Sequence, residues 1–224
     1  MKYSLLNNGI DSLKSAFINL DKVISKEYEP HHVKDSIMFL AHGTEILLKY
    51  LLSEKDYKTI FVDEERNMKK YKAAEEKRIK LGLDNVFLVD SSLRTINANK
   101  ALHFLTDFYE LDCTYSFPEL IKYLSYKRNE IMHSAIELNE EQTLDLISKL
   151  THIYSQIIFY FHQHIPNFSQ LIENARFDRE AFETQKYKQK LDDEAATVFF
   201  ENQQEMYYES LAEQADTLED YYNH

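Results

Sequence analysis

The sequence predicts an all-α protein, and three observations carry that prediction. Glycine and proline are scarce, three of each in 224 residues, whereas an all-β or Rossmann-like design needs many more of the residues that make tight turns. Apolar residues recur at alternating steps of three and four over long stretches, the period of one helix face. The breakers and caps fall between those stretches rather than inside them. With 44% apolar residues, the chain can bury a core without a covalent staple.

Leu6, Ile10, Leu13, Phe17, Leu20 and Ile24 form one apolar stripe and predict a long first helix that Pro30 ends. Val33, Ile37, Leu40, Thr44, Leu47, Leu48 and Leu51 repeat the pattern after that proline, and so short a connection makes the second helix an antiparallel neighbour of the first. Residues 54 to about 82 are charged and helix-prone with little apolar periodicity, which reads as a solvent-exposed helix or a mobile insertion. A short helix is expected over about 96 to 110. Ser116, Pro118 and Glu119 have the form of a capping box with proline in the first turn, so a further helix starts near Phe117 and runs to about His133. Asn139, with Gln142 three residues on, supplies the next cap, and Leu144, Ile147, Leu150, Tyr154, Ile157 and Phe161 form the last long stripe. Pro166 closes this domain, 1–166, within which 54–115 is an insertion; residues 167–224 form an acidic, Tyr-rich extension of two or three surface helices.

Composition removes several function classes. Cys113 is the single cysteine, so no internal disulfide and no Cys-rich zinc site can form. The opening MKYSLLNNGIDSLK lacks the order of a secretory signal, and the longest apolar run, near 157–161, is too short to span a bilayer. A cytoplasmic protein with no membrane partner is expected. The net charge of −12 is mostly a property of residues 171–224, which hold 5 Lys and Arg against 14 Asp and Glu. Beyond Lys190 there is no Lys or Arg, so that end would repel a phosphate backbone. It reads as a solvated acidic surface, with an autoinhibitory or partner-docking role as the alternative.

The residues that carry chemistry lie at the end of the helix that starts at Phe117. Arg128 and His133 pair a permanent cation with a side chain that titrates near neutrality, the two properties that phosphodiester cleavage asks for. Spacing alone is weak, since about 0.7 such pairs are expected by chance in a chain of this composition. The context is stronger. The second helix reads DSIMFLAHGTEILLKYLL, a variable insertion follows, and a later helix ends in Arg128-Asn129 and His133 before the last long helix. In this order and spacing the chain resembles the HEPN superfamily over about residues 3–165, with Ala41, His42, Glu45, Leu48, Lys49, Arg128, Asn129 and His133 standing in the family's motif positions.

That resemblance implies an up-down four-helix bundle with a charged helical insertion and a C-terminal helical extension. It further implies a homodimer in which two such segments face each other and cut RNA without a metal or other cofactor, as a toxin or antiphage effector. Arg128 would stabilise charge on the phosphate and His133 would exchange protons with the attacking or leaving oxygen. Asn129 lies four residues before His133 on the same helix face and reads as a positioning residue. Glu45 supports the site, or else only pairs with Lys49 at i, i+4. Arg128 and His133 are separated by roughly 140° around a helix, so a partner copy is expected to complete the site. One branch of the family carries a tyrosine two residues after the histidine, where an antitoxin adds AMP. Here Ala135 stands there, which puts that mode of neutralisation in doubt and leaves open a different antitoxin or defence-system partner.

Other constellations weigh less. Glu130 and His133 match one E-x-x-H unit of a di-iron bundle, but no second copy exists. His31-His32 and His162-x-His164 read as solvated helix ends, so no metal is assigned. The 16 tyrosines read as packing residues. A remote RNA contact, if present, belongs to the Lys/Arg-rich stretch 66–80. The reading from a different class is a non-catalytic helical module that binds a nucleotide or a partner protein.

Overall fold

The computed structural model describes residues 4–25, 29–133 and 139–176, together with residues 190 and 197. Over these the chain is all-α. In order come α1 (Leu5–Ile24), α2 (Pro30–Asp56), α3 (Glu65–Leu81), α4 (Ala98–Asp107), α5 (Phe117–His133), α6 (Glu140–His164) and α7 (Phe168–Asn174), in a unit that ends at Arg176. Ala135 and, apart from residues 190 and 197, the acidic extension beyond Arg176 lie outside the described residues. No helix among the described residues is long and apolar enough to cross a membrane.

Helix α2 is the hub, packed against α1, α4, α5 and α6. Its contact with α1 is the most extensive, and small residues set it. A Cβ on Gly9 would lie 2.5 Å from Leu47 Cγ, and one on Gly43 would lie 3.0 Å from the Gly9 carbonyl oxygen. The two backbones therefore approach at a distance that only glycine allows. This closeness corrects the first stripe. Ile10, Leu13 and Leu20 are buried as expected, but Phe17 is 43% exposed and Ile24 also turns outward, while Ala16, Ser12 and Ser15 take inner positions. A ring at the seam would hold the helices apart.

The caps of α1, α2 and α6 behave as local chemistry requires. Ser4 accepts from the Asn7 N–H at 3.1 Å at the start of α1, and Pro30 occupies the first turn of α2. At the start of α6, Gln142 N–H donates to Asn139 Oδ1 at 2.9 Å while Asn139 N–H donates to Gln142 Oε1 at 3.1 Å, the reciprocal cap expected from the sequence. The α6 stripe is rotated from its expected phase. Leu144 is exposed, and the inner line runs Leu146, Leu150, Ile153, Ile157 and Phe161. Apolar residues on both flanks of α6 made two phases possible, and packing against α1 and α2 selects this one.

The charged insertion folds as an ordered element. Helix α3 ends on Gly82 in the left-handed conformation, φ 62°, and buries only Asn67 and Ala74. Asn67 is a clamp: its Nδ2 donates to Val62 O at 2.9 Å and to Arg94 O at 3.0 Å, and its Oδ1 accepts from Arg94 N–H at 2.9 Å. Two backbone bonds, Val62 N–H to Arg94 O and Ile96 N–H to Ile60 O, both at 3.0 Å, close the same loop. The segments 60–62 and 94–96 on either side of α3 are thus tied together, with Ile60, Phe61, Leu93 and Ile96 buried in the core. Past Pro166 the chain continues on this core: Phe168 of α7 is buried, and Arg176 forms a two-pronged pair with Asp11 at 2.8 and 2.9 Å.

Candidate active site

The Asn67 clamp delivers residues 94–99 to the flank of α2, where they close one side of a cleft. It is lined by Met38, Phe39, Ala41, His42 and Glu45 of α2, by Asn97, Ala98 and Asn99 at the start of α4, and by Ser125, Arg128 and Asn129 of α5, and holds about 350 Å³. Asn97 caps α4 by accepting from the Lys100 N–H at 2.9 Å, so the electropositive end of that helix opens on the cleft.

The α2 wall is built on a buried cation. Lys49 is 4% exposed, a position that an ammonium tolerates only when paired and hydrogen-bonded. Its Nζ donates to Glu45 Oε1 at 2.6 Å and to Thr95 Oγ1 at 2.8 Å. One lysine thus ties α2 to the returning end of the insertion and fixes the carboxylate of Glu45, about a third exposed, at the cleft wall. Glu45 thus forms the helix pair with Lys49 and also lines the cleft.

His42, one turn earlier, lines the cleft with its ring anchored from behind. Its Nδ1 lies 2.8 Å from Ser12 Oγ on α1, and Ser12 is buried. The imidazole pKa is held below its ordinary value of 6.5, first by partial desolvation, with Lys49 and Arg128 acting in the same direction and Glu45 opposing them. The neutral ring therefore dominates at pH 7.

Across the cleft, α5 presents Arg128 and Asn129. Arg128 Nη1 donates to Asn129 Oδ1 at 3.2 Å, and among the described residues no carboxylate forms an ion pair with Arg128. Its neighbour Lys127 is instead neutralised by Glu130 at 2.8 Å. Among the described residues the guanidinium charge is therefore not offset by a paired carboxylate. Of the residues singled out in the sequence, His42, Glu45, Arg128 and Asn129 come together here, while His133 does not: it is exposed at the last turn of α5 and is not part of the cleft wall. Asn129 bonds to Arg128 rather than bridging to His133.

The remaining candidates sit elsewhere. Among the described residues no three His, Cys, Asp or Glu side chains cluster as a metal site would require. Glu130 is engaged by Lys127, and His164 Nε2 lies 2.9 Å from the Asp112 carbonyl oxygen. In the basic stretch 66–80, Lys69 pairs with Glu65 at 2.6 Å and Arg78 pairs with Glu75 through two bonds of 2.6 and 2.7 Å. Ser12, Asn67, Thr95 and Asn99 were not singled out in the sequence. The one sequence signal at Ser12 is its place in a run of small residues, Gly9, Ser12, Ser15 and Ala16, along one helix face. In comparisons with known proteins, the chain matches no protein-family model, no curated protein and no solved structure.

Proposed function

We propose that this chain is a metal-independent endoribonuclease of the HEPN type, an up-down bundle of α1, α2, α5 and α6 that acts as a homodimer in a toxin–antitoxin or antiphage system. The observation that carries the reading is the cleft in which His42 and Glu45 of α2 meet Arg128 and Asn129 of α5. These residues are far apart in the chain, and each occupies a position of the motif that the resemblance rests on. In this reading Arg128 holds the scissile phosphate and stabilises its developing charge. Asn129 orients the guanidinium, Glu45 shapes the wall, and His133 exchanges protons with the reacting oxygens. The exposure of His133 outside the cleft fits a site completed across a two-fold axis, where the α5 ends of two copies meet.

The same exposure favours a second reading, a non-catalytic helical module that holds a nucleotide or a partner protein without cutting. The test is cleavage of total cellular RNA in EDTA by the wild type beside Arg128→Ala and His133→Ala, with the oligomeric state of all three measured. The ribonuclease reading expects wild-type cutting that both substitutions abolish in intact dimers. RNA left whole by the wild type, or cutting indifferent to both substitutions, would favour the binding module.

A further inference from the structure

Cleaving RNA through its own 2′-hydroxyl takes two proton transfers, one from the attacking oxygen and one to the leaving oxygen. A single residue held in one place does not reach both. The imidazole that lines the cleft beside Arg128 is His42. Its ring is pre-oriented, because Nδ1 is engaged by the buried Ser12 hydroxyl at 2.8 Å. In the tautomer in which Nδ1–H donates to Ser12 Oγ, the lone pair sits on Nε2, the ring nitrogen left for a ligand.

We propose that His42 is a catalytic residue of this cleft, the general base for the 2′-hydroxyl of an RNA strand lying between α2 and α5, with Ser12 as the positioning residue behind it. The proposal rests on the ribonuclease reading and divides the proton transfers given there to His133, assigning the one from the attacking oxygen to His42. The step balances as an internal transesterification. Nε2 takes the 2′-hydroxyl proton as the 2′-oxygen bonds to phosphorus, the bond from phosphorus to the 5′-oxygen breaks, and the leaving oxygen takes a proton from His133 of the second copy in the proposed homodimer. The products are a 2′,3′-cyclic phosphate and a free 5′-hydroxyl.

The charged groups that act on His42 are Glu45 and Lys49 from its own helix and Arg128 from α5, while α1 contributes only the neutral Ser12 hydroxyl. Their net effect, with partial burial, keeps the ring neutral and able to accept a proton at pH 7. The carboxylate of Glu45 opposes the shift and stabilises the imidazolium once it has formed. A base of this kind makes the rate rise with pH through a value below 6.5.

The experiment is single-turnover cleavage of an RNA oligonucleotide across pH by the wild type, His42→Gln, His42→Ala, Ser12→Ala and Arg128→Ala, with helical content checked for each. His42→Gln keeps a hydrogen-bonding side chain at an exposed helix position, so it should fold. The expected result is a loss of about 10²- to 10⁴-fold on His42→Gln with the acidic limb of the profile gone. Partial restoration of His42→Ala by added imidazole and a displaced limb in Ser12→Ala are also expected. If His42→Gln cuts at the wild-type rate with the wild-type profile while Arg128→Ala is dead, the role of His42 is overturned and the ribonuclease reading stands. If the wild type does not cut, the ribonuclease reading falls and the role of His42 falls with it.

Discussion

The two faces of α2 do different jobs with the same backbone. One face carries Leu40, Gly43 and Leu47 against α1, packed until the carbonyl of Gly9 leaves no room for a side chain. The other carries His42 and Glu45 into an open polar cleft. They are not independent, because the close approach of α1 is what brings the Ser12 hydroxyl within 2.8 Å of the His42 ring. The packed face sets the stability of the helical core and, through that distance, the aim of the polar face.

If the division is real, substitutions on the packed face should lower stability first and cleft chemistry only through it. The largest effect expected is from Leu47→Ala, since Leu47 is fully buried at the centre of the seam; chemical denaturation should show a loss of about 2–5 kcal/mol. Glu45→Ala sits on the boundary between the faces. It leaves the buried Lys49 ammonium with Thr95 as its remaining bond, and a loss of about 3 kcal/mol is expected. Replacing Lys49 with Met in that background should recover much of it, and no recovery would show that the pair is not what holds the wall.

Gly43→Ala sharpens the link between the faces. Its new Cβ would meet Leu13 Cδ2 at 2.9 Å and the Gly9 carbonyl oxygen at 3.0 Å, and a backbone atom cannot rotate away. A cost of about 1–3 kcal/mol from overpacking is expected, set against roughly 1 kcal/mol of helix propensity regained. The helices should also move apart enough to weaken the Ser12 to His42 bond, which a shifted His42 titration measured by NMR would reveal. The smallest effect belongs to α3. Lys69 and Glu65 are 76% and 83% exposed in their side chains, so Lys69→Ala should change the melting temperature very little, within about 0.5 kcal/mol in stability.

How much of this was legible in the sequence follows from how local each feature is. The Asn139 and Gln142 cap and the apolar stripe of α2 are local, and they were readable. The orientation of α1 was only half readable, because hydropathy ranks Phe17 above Ala16 whereas the seam selects for small size. The cleft was partly readable, since motif spacing picked out His42, Glu45, Arg128 and Asn129. Its supports were not, because Asn67, Thr95 and Ser12 acquire their meaning when the insertion closes on itself and when α1 docks, contacts that no short window of sequence contains. His133 shows the converse, a motif position whose place relative to the cleft depends on three-dimensional arrangement rather than on spacing.

The central claim is that the polar face of α2 and the Arg128 end of α5 form an RNA-cutting site. The most direct test is the chemistry of the ends left on a defined RNA oligonucleotide incubated in EDTA with the wild type and with Arg128→Ala, read by mass spectrometry. The account predicts fragments ending in a 2′,3′-cyclic phosphate and beginning with a 5′-hydroxyl from the wild type, and none from Arg128→Ala at equal helical content. Intact oligonucleotide with the wild type, or identical fragments from both proteins, would contradict it.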